Sequence, residues 1–472
     1  MIDLEYITVA GVVLVIAEFA GILLALDVVM QPRSSQGTIA WFIALIAMPL
    51  ITIPLYLLFG RTRFQGYAEA IRDKEFRIGK QWADWYTDMV TMTAVPKEDL
   101  KAIETVVERL TRIPFTRGNQ VGLLIDGEAT YNAMLEAVTM AETYIFIQFY
   151  IVRDDGIGRR LRDALIEKAR KGVRVCFLYD EIGCLKLPDA YLDVMRNASI
   201  EVSGFKTTQG RNNRFQINFR NHRKLLIVDG QISFIGGLNL GDEYLTFRDT
   251  HLKIEGPASQ HIQLSFLKDW YWATGQIPES SKVVKPSTKG NQATAIVNTG
   301  PADGTASCSI LFTSLINLAQ HRLWITSPYF VPDDVMVRAL QAAAIRGVDV
   351  RIILPGKADK RLVQLASFTY YKSILKCGAR LFRYRERFLH QKVLLVDNEL
   401  AGIGTVNLDN RSLHLNFEAT CLVADNDFAK QVEAMLMADL ECSEEVHAIH
   451  FDNKPLWFRV AARVSRLASP LL

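Results

Sequence analysis

The sequence predicts an α/β protein in which two copies of one domain, each a mixed sheet flanked by helices, follow an N-terminal transmembrane helical hairpin. Three observations predict it. Apolar residues crowd the front of the chain; blocks from about residue 120 recur in order in the second half; and each half carries one pattern of histidine, lysine, aspartate, glycine and asparagine.

The chain has 472 residues, enough for two domains with proper cores. Its hydrophobic fraction of 49% and mean hydropathy of +0.10 are high for a wholly soluble protein, so part of it is expected in lipid. A net charge of +3 is too small to name a partner. The cysteines Cys176, Cys184, Cys308, Cys377, Cys421 and Cys442 are dispersed, with no Cys-x-x-Cys. That suits a reducing compartment and argues against a disulfide framework or a thiolate zinc site.

Tyr6–Met30 and Thr38–Phe59 are near-continuous apolar runs, each long enough to cross a hydrocarbon core as a helix, which takes roughly 20 residues. The first has no basic start and carries Glu18 and Asp27, which argues against a cleaved signal peptide. A charged Glu18 would cost roughly 2.5–3.5 kcal/mol at mid-bilayer, so it is expected protonated, paired within a bundle, or functional. A helical hairpin buried in a soluble core is the competing reading; adjacency, length and terminal position weigh against it.

Arg61, Arg63, Arg72, Lys74, Arg77 and Lys80 follow the second run, whereas QPRSSQG between the runs has one basic residue. The excess of basic residues beside a membrane end predicts the large C-terminal portion on the cytoplasmic side. Residues 61–119 form a juxtamembrane linker region, in which FRIGKQWADWY reads equally as an interfacial helix or as the core face of a docked one.

The duplication occupies residues 120–285 and 286–445. AETYIFIQFYIV is matched by AQHRLWITSPYFV, and EKARKGVRVCFLYD by QAAAIRGVDVRIILP. In each second pair a helix ends at a glycine, Gly172 or Gly347, and feeds an apolar strand of a buried sheet. No dinucleotide or Walker loop is present.

The repeated pattern is HRKLLIVDGQISFIGGLN from His222 and HQKVLLVDNELAGIGTVN from His390. His222 and Lys224, like His390 and Lys392, share one face of an extended segment. The glycines that follow let the chain turn back so that Asn239 or Asn407 reaches the same place. Lysine charge and asparagine donors suit phosphoryl oxygens, so two such sets would surround one phosphodiester and stabilise developing charge without a metal. One histidine attacks phosphorus; the other protonates the leaving alcohol and then deprotonates the incoming one. Asp249 and Glu418, at comparable places after the two patterns, are candidates to orient the rings. Asp229 and Asp397 belong to the two sets but are expected to brace strand and turn. A single His-x-Lys is usually an ordinary surface feature; two copies at the same internal spacing inside a duplication are not. The other histidines share no ligand spacing, so no metal and no cofactor is expected.

These residues carry a resemblance. His222-Lys224-Asp229 and His390-Lys392-Asp397 resemble the paired HxKxxxxD motifs of the phospholipase D superfamily, and the whole chain is similar to bacterial cardiolipin synthases with two N-terminal membrane helices. LLIDGEATYNAML, RDTHLKIEGP, SPYFVPDD and GTVNLDNRSLHLNFE add to the likeness. Thr405 stands where the first copy has Gly237. The resemblance implies a phosphatidyltransferase: one phosphatidylglycerol gives its phosphatidyl group to a histidine, glycerol leaves, and a second phosphatidylglycerol accepts the group as cardiolipin. It also implies a multi-pass protein of the bacterial inner membrane with no cofactor. His222 is expected to be the nucleophile and His390 the acid and base, partly from related two-motif enzymes. Locally, Arg220, Arg223 and Lys224 disfavour a protonated His222, an effect that Asp249 would oppose.

Charge placement points to anionic phospholipid at a bilayer. Lys206, Arg211, Arg214, Arg220, Arg223 and Lys224 lie in a stretch without acids, and Arg380, Arg383, Arg385 and Arg387 precede the second motif. The same pattern could bind nucleic acid, as the superfamily's nucleases do, but membrane spans are odd equipment for a nuclease, so no nucleic-acid partner is expected. The alternatives are a membrane-bound hydrolase with water as acceptor and a phosphodiesterase or nuclease of the same superfamily. A homo-oligomer is compatible with the sequence. Residues 446–472 include an amphipathic segment, KPLWFRVAARVSRLASPLL, expected as an interfacial or docked helix.

Overall fold

The computed structural model describes residues 4–31, 34–77, 87, 89–94, 97–210, 213, 215–278, 287–447 and 454–472. The aromatic juxtamembrane stretch at 78–86, Arg211, Arg214 and linker residues 279–286 lie outside the described residues. The chain divides into two compact units, residues 1–66 with 207–219, and residues 67–206 with 220–472.

In the first unit the predicted first span is helix α1 (Leu4–Met30). Its Gly11–Met30 portion is the one helix among the described residues long and apolar enough to cross a membrane. Val12, Val15, Ile16, Phe19, Leu23 and Leu26 face outward, and Glu18 is exposed with them rather than buried in the hairpin. The expected single helix from Thr38 to Phe59 is instead two, α2 (Ser35–Ala47) and α3 (Pro49–Phe59). The break is at Pro49, which has no N–H and pushes the residue before it out of helical geometry; Met48 sits at φ −141°. The Thr52 hydroxyl donates to the Ala44 carbonyl at 3.0 Å, an oxygen that also accepts from Met48 N at 2.9 Å, and so ties α3 to the end of α2. Ala25, Val28, Leu45 and Tyr56 pack the helices together, and the Tyr56 hydroxyl donates to Asp27 at 2.8 Å.

The second unit carries both copies of the duplicated domain. The first copy supplies β1 (Thr116–Ile125), β2 (Tyr144–Phe149), β3 (Arg174–Asp180), β4 (Glu201–Phe205), β5 (Arg220–Asn221), β6 (Leu225–Val228), β7 (Ile232–Gly236) and β8 (Thr250–Glu255). The second supplies β9 (Gln292–Thr299), β10 (Arg322–Thr326), β11 (Phe330–Val331), β12 (Asp349–Pro355), β13 (Arg380–Tyr384), β14 (Val393–Val396), β15 (Leu400–Gly404), β16 (Leu408–Asp409), β17 (Asn416–Ala424) and β18 (Ser443–Val446). The sheet runs β4-β3-β2-β6-β7-β8-β1, then β9-β17-β15-β14-β10-β12-β13-β18. Apart from the extra edge strand β18, this order is a palindrome about the antiparallel β1–β9 pair. The two halves therefore share one sheet, with Thr116 opposite Thr294.

β2, β6, β10 and β14 are buried along their whole or nearly whole length, which is why they read as continuous apolar runs. Gly172 (φ +89°) and Gly347 (φ +92°) take the left-handed conformation that ends the helix before β3 and β12. Each half keeps its own core, around Ile147, Phe177 and Leu226 in one and Ile325, Ile352 and Leu394 in the other.

Candidate active site

Extended backbone points alternate side chains to opposite faces. Arg220, His222 and Lys224 thus share one face and Asn221 and Arg223 the other; Phe388, His390 and Lys392 repeat the first set. The second face is tied into the protein. Arg223 reaches both Asp269 oxygens at 2.9 and 2.8 Å, and Asn221, Gln148 and Tyr67 donate to the same buried carboxylate at 2.8, 3.0 and 2.7 Å. Arg223 is therefore turned away from His222 and neutralised, which removes it from the local argument for a nucleophilic His222. Sequence reading missed Asp269 because its partners are far away in the chain.

The lead-in to each histidine lies on the other half. β5 pairs in parallel with the start of β17, Arg220 opposite Asn416, and His222 N donates to Phe417 O at 2.9 Å. Correspondingly, Arg248 N donates to Phe388 O and His390 N to Arg248 O, at 2.9 and 2.8 Å. This exchange decides which acid meets which ring. His222 Nδ1 lies 3.0 Å from Glu418 Oε2, and His390 Nδ1 lies 2.6 Å from Asp249 Oδ2. Asp249 is thus not the acid beside His222, contrary to the reading from proximity in sequence.

The Thr405–Gly237 difference also has a role. The Thr405 hydroxyl donates to Glu418 at 2.5 Å. At Gly237 a Cβ would come within 2.1 Å of an Asp249 oxygen, so glycine leaves room for that carboxylate.

All these groups are buried: Lys224, Asp249 and Glu418 completely, with His222 7% and His390 8% exposed. Burial, opposed by Glu418, lowers the His222 pKa to about 4, with Lys224 and Lys392 contributing. Burial, then Lys392, lowers His390 to about 4 against the pull of Asp249, and Lys224 contributes. Each lysine thus acts on the histidine of the other half, and the four groups form one electrostatic cluster. Burial also lowers Lys392 to about 8 and Lys224 well below its ordinary value. Burial pushes Glu418 and Asp249 up, but their cationic and hydrogen-bonding neighbours leave both below the usual carboxylate range. Neutral imidazoles beside ionised carboxylates carry their proton on Nδ1 and leave the Nε2 lone pair available.

Lys224 Nζ donates to His222 O at 2.5 Å, and Lys392 Nζ donates to His390 O. Both asparagines are buried. Asn239 Oδ1 accepts from Ile151 N at 3.1 Å, while Asn407 Oδ1 has no partner among the described residues. The two motif aspartates lie at the far ends of their strands, in left-handed turn positions (φ +53° and +49°). Asp229 accepts from the amides of Glu142, Thr143 and Tyr144, and Asp397 from those of Gln320, His321 and Arg322. They brace the starts of β2 and β10.

Tyr150 was not singled out from the sequence. Its ring meets His222 edge-on at 4.9 Å between centroids, and Lys224 Nζ lies 5.4 Å from its centre. On the other side Phe247 and Phe388 pack against His390 at 5.8 and 5.9 Å. The basic run before the second motif is largely compensated by distant acids. Arg380 pairs with Glu445, Arg385 with Glu444 and Arg387 with Asp126.

The chain is similar to known proteins along nearly its whole length. The family described as "Cardiolipin synthase, PLD-like domain" matches residues 134–270 and 312–440, and that described as "Phospholipase_D-nuclease N-terminal" matches 19–61. A curated relative named cardiolipin synthase A, from Pseudomonas aeruginosa PAO1, is 42% identical over 98% of this chain and 96% of its own. Its namesake from Pseudomonas fluorescens is 41% identical over 98% of both chains. Among solved structures, a phosphatidylserine synthase from Haemophilus influenzae superposes with a TM-score of 0.61 at 16% identity, covering 79% of this chain and 100% of its own. That likeness concerns the fold.

Proposed function

The chain belongs to the cardiolipin synthases with phospholipase D-like domains, and from that membership we propose that it joins two phosphatidylglycerol molecules into cardiolipin and glycerol through a phosphohistidine. It is an enzyme, a phosphatidyltransferase. The observation that carries the mechanism is the exchanged pair of histidine–carboxylate contacts, His222–Glu418 and His390–Asp249, in one buried cluster with Lys224 and Lys392.

In this reading the phosphodiester of the donor lipid enters between the histidines, and its negative charge meets the two lysines and the asparagine amides. Held by Glu418, the His222 Nε2 attacks phosphorus and the bond to the glycerol oxygen breaks. His390 hands that oxygen a proton, which the phosphate's own charge helps it to acquire. Neutral again, His390 takes the proton from a hydroxyl of the second phosphatidylglycerol as its oxygen displaces His222. Asp249 stabilises the transient imidazolium.

The protein is membrane-associated; α1 is its clearest anchor, and the catalytic unit is proposed to face the cytoplasm. The helix Leu456–Arg466 supports attachment. Phe458 packs on Phe368 and Ala462 is buried, whereas Leu456, Trp457, Val460 and Val464 remain exposed on a helix that also carries Arg459 and Arg463.

The test is purified protein in detergent with labelled phosphatidylglycerol. Cardiolipin and glycerol in equal amounts are expected. Phosphatidic acid as the main product would make water the acceptor, and cleavage of DNA without lipid turnover would make the protein a nuclease.

A further inference from the structure

LLIDGEATYNAML, one of the stretches that add to the family likeness, carries Asp126 where β1 passes into the helix Asp126–Met140. Asp126 has φ +69°, in the left-handed region that residues with a Cβ seldom adopt. Such a conformation persists only where the surrounding contacts over-determine it, and it gathers at functional sites.

In this conformation Asp126 grips the backbone of Asp249 at two points. Its N–H donates to Asp249 O at 2.9 Å, and its Oδ1 accepts from Asp249 N at 3.3 Å. The carboxylate also reaches two arginines from the segments that frame the His390–Asp249 contact. Oδ1 accepts from Arg248 Nη1 at 3.2 Å, and Oδ2 from Arg387 Nη2 at 2.5 Å. Arg248 in turn donates from Nε to the buried Asp439 at 2.6 Å. Charge alternates along Arg387, Asp126, Arg248 and Asp439. The inner two come from the first copy and the outer two from the second, so the network ties the halves together behind one histidine.

The His222–Glu418 pair is braced differently. Glu418 lies opposite Thr299, which has no carboxylate. Arg223 does the holding there, with Nε on Glu418 O at 3.1 Å and Nη2 on Thr299 O at 3.3 Å. Two like histidine–carboxylate pairs thus have unlike supports, and Asp126 serves the one with His390.

We propose that Asp126 is a positioning residue for proton transfer by His390. Its grip fixes Asp249, and through Asp249 the imidazole, in the attitude needed to protonate the departing glycerol oxygen. This rests on the reading above, in which His390 is the acid and then the base. Asp126 acts through Asp249 rather than on the lipid. A shift of the Asp249 backbone would turn the ring that its carboxylate holds at 2.6 Å, and small misplacements at a reacting group are costly.

The experiment gives the full-length protein in detergent two donors. Phosphatidylglycerol has an alcohol leaving group, which needs a proton as its bond to phosphorus breaks. Phosphatidyl-p-nitrophenol has one that does not. The bond from His222 nitrogen to phosphorus forms, the phosphorus–oxygen bond breaks, and the electron pair departs on nitrophenolate. Its first turnover, read as a burst of nitrophenolate, therefore reports attack by His222 without help from His390.

Asp126→Gly keeps the left-handed turn and removes the carboxylate. It should lower kcat for cardiolipin formation by about 10- to 100-fold with little change in KM, while the nitrophenolate burst keeps its wild-type rate. Asp126→Asn retains an acceptor for Asp249 N but not the charge that holds Arg248 and Arg387, so it should fall between Asp126→Gly and wild type. A burst slowed as much as cardiolipin formation would mean that the site as a whole is damaged. Cardiolipin formation at the wild-type rate would mean that Asp126 is dispensable. Either result overturns the proposal. Wild type that makes no cardiolipin, or that carries its phosphoryl adduct on His390, would count against the functional reading itself, and both are seen without any variant.

Discussion

Glu418 holds His222 and Asp249 holds His390, at 3.0 and 2.6 Å, so each motif histidine is oriented by an acid from the other half of the chain. Neither half by itself pairs its motif histidine with a carboxylate. Glu418→Gln and Asp249→Asn should each lower cardiolipin formation by roughly 10²- to 10⁴-fold, the range of a general acid–base contribution, with little change in lipid binding. A kcat/KM loss carried mainly by KM would contradict the orienting role.

Brief reaction with a labelled phosphatidyl donor, followed by denaturation and peptide mapping, should place the acid-labile phosphoryl adduct on His222. Recovery on His390 would reverse the two roles and keep the two-histidine mechanism. The asymmetry is worth testing directly, because both rings have the same kind of partner and both are lowered to about 4.

In the proposed mechanism the charge needed at phosphorus comes from Lys224 and Lys392. Cardiolipin formation should therefore survive thorough chelation of divalent ions, read as the initial rate in detergent micelles. A strict requirement matched by metal bound at the histidines would sink this mechanism.

Acid should destabilise the catalytic unit. His222 and His390 stay neutral in the folded protein down to about 4, whereas in the unfolded chain they take up protons near 6.5. Between those values the unfolded state binds more protons, so stability rises with pH and is lost on acidification. Apparent melting temperature, followed by tryptophan fluorescence, should fall from about pH 7 to about pH 5. The slope should flatten when both histidines are replaced by asparagine; an unchanged slope would locate the titration elsewhere.

Asp269 holds Arg223, Asn221, Gln148 and Tyr67 in a fully buried network behind the first motif. Asp269→Ala leaves the arginine without its counter-charge and should destabilise the unit by about 3–5 kcal/mol. Chemical denaturation in detergent would measure it. A loss within about 0.5 kcal/mol, the scale of an ordinary surface substitution, would show that water reaches Arg223.

The sequence by itself determined the pattern of buried strands, the duplication and the repeated set of histidine, lysine, aspartate and asparagine. Period and repetition are local properties of a chain: apolar runs mark β2, β6, β10 and β14, and the spacing from His222 to Asn239 recurs from His390 to Asn407. Only the tertiary structure decided which groups meet. The segments before His222 and His390 pair across to the other half, so Glu418 rather than Asp249 reaches His222. Asp269 closes on Arg223. Those contacts join residues far apart in the chain, and their energies come from desolvation and charge in a shared interior, which no spacing along the sequence records.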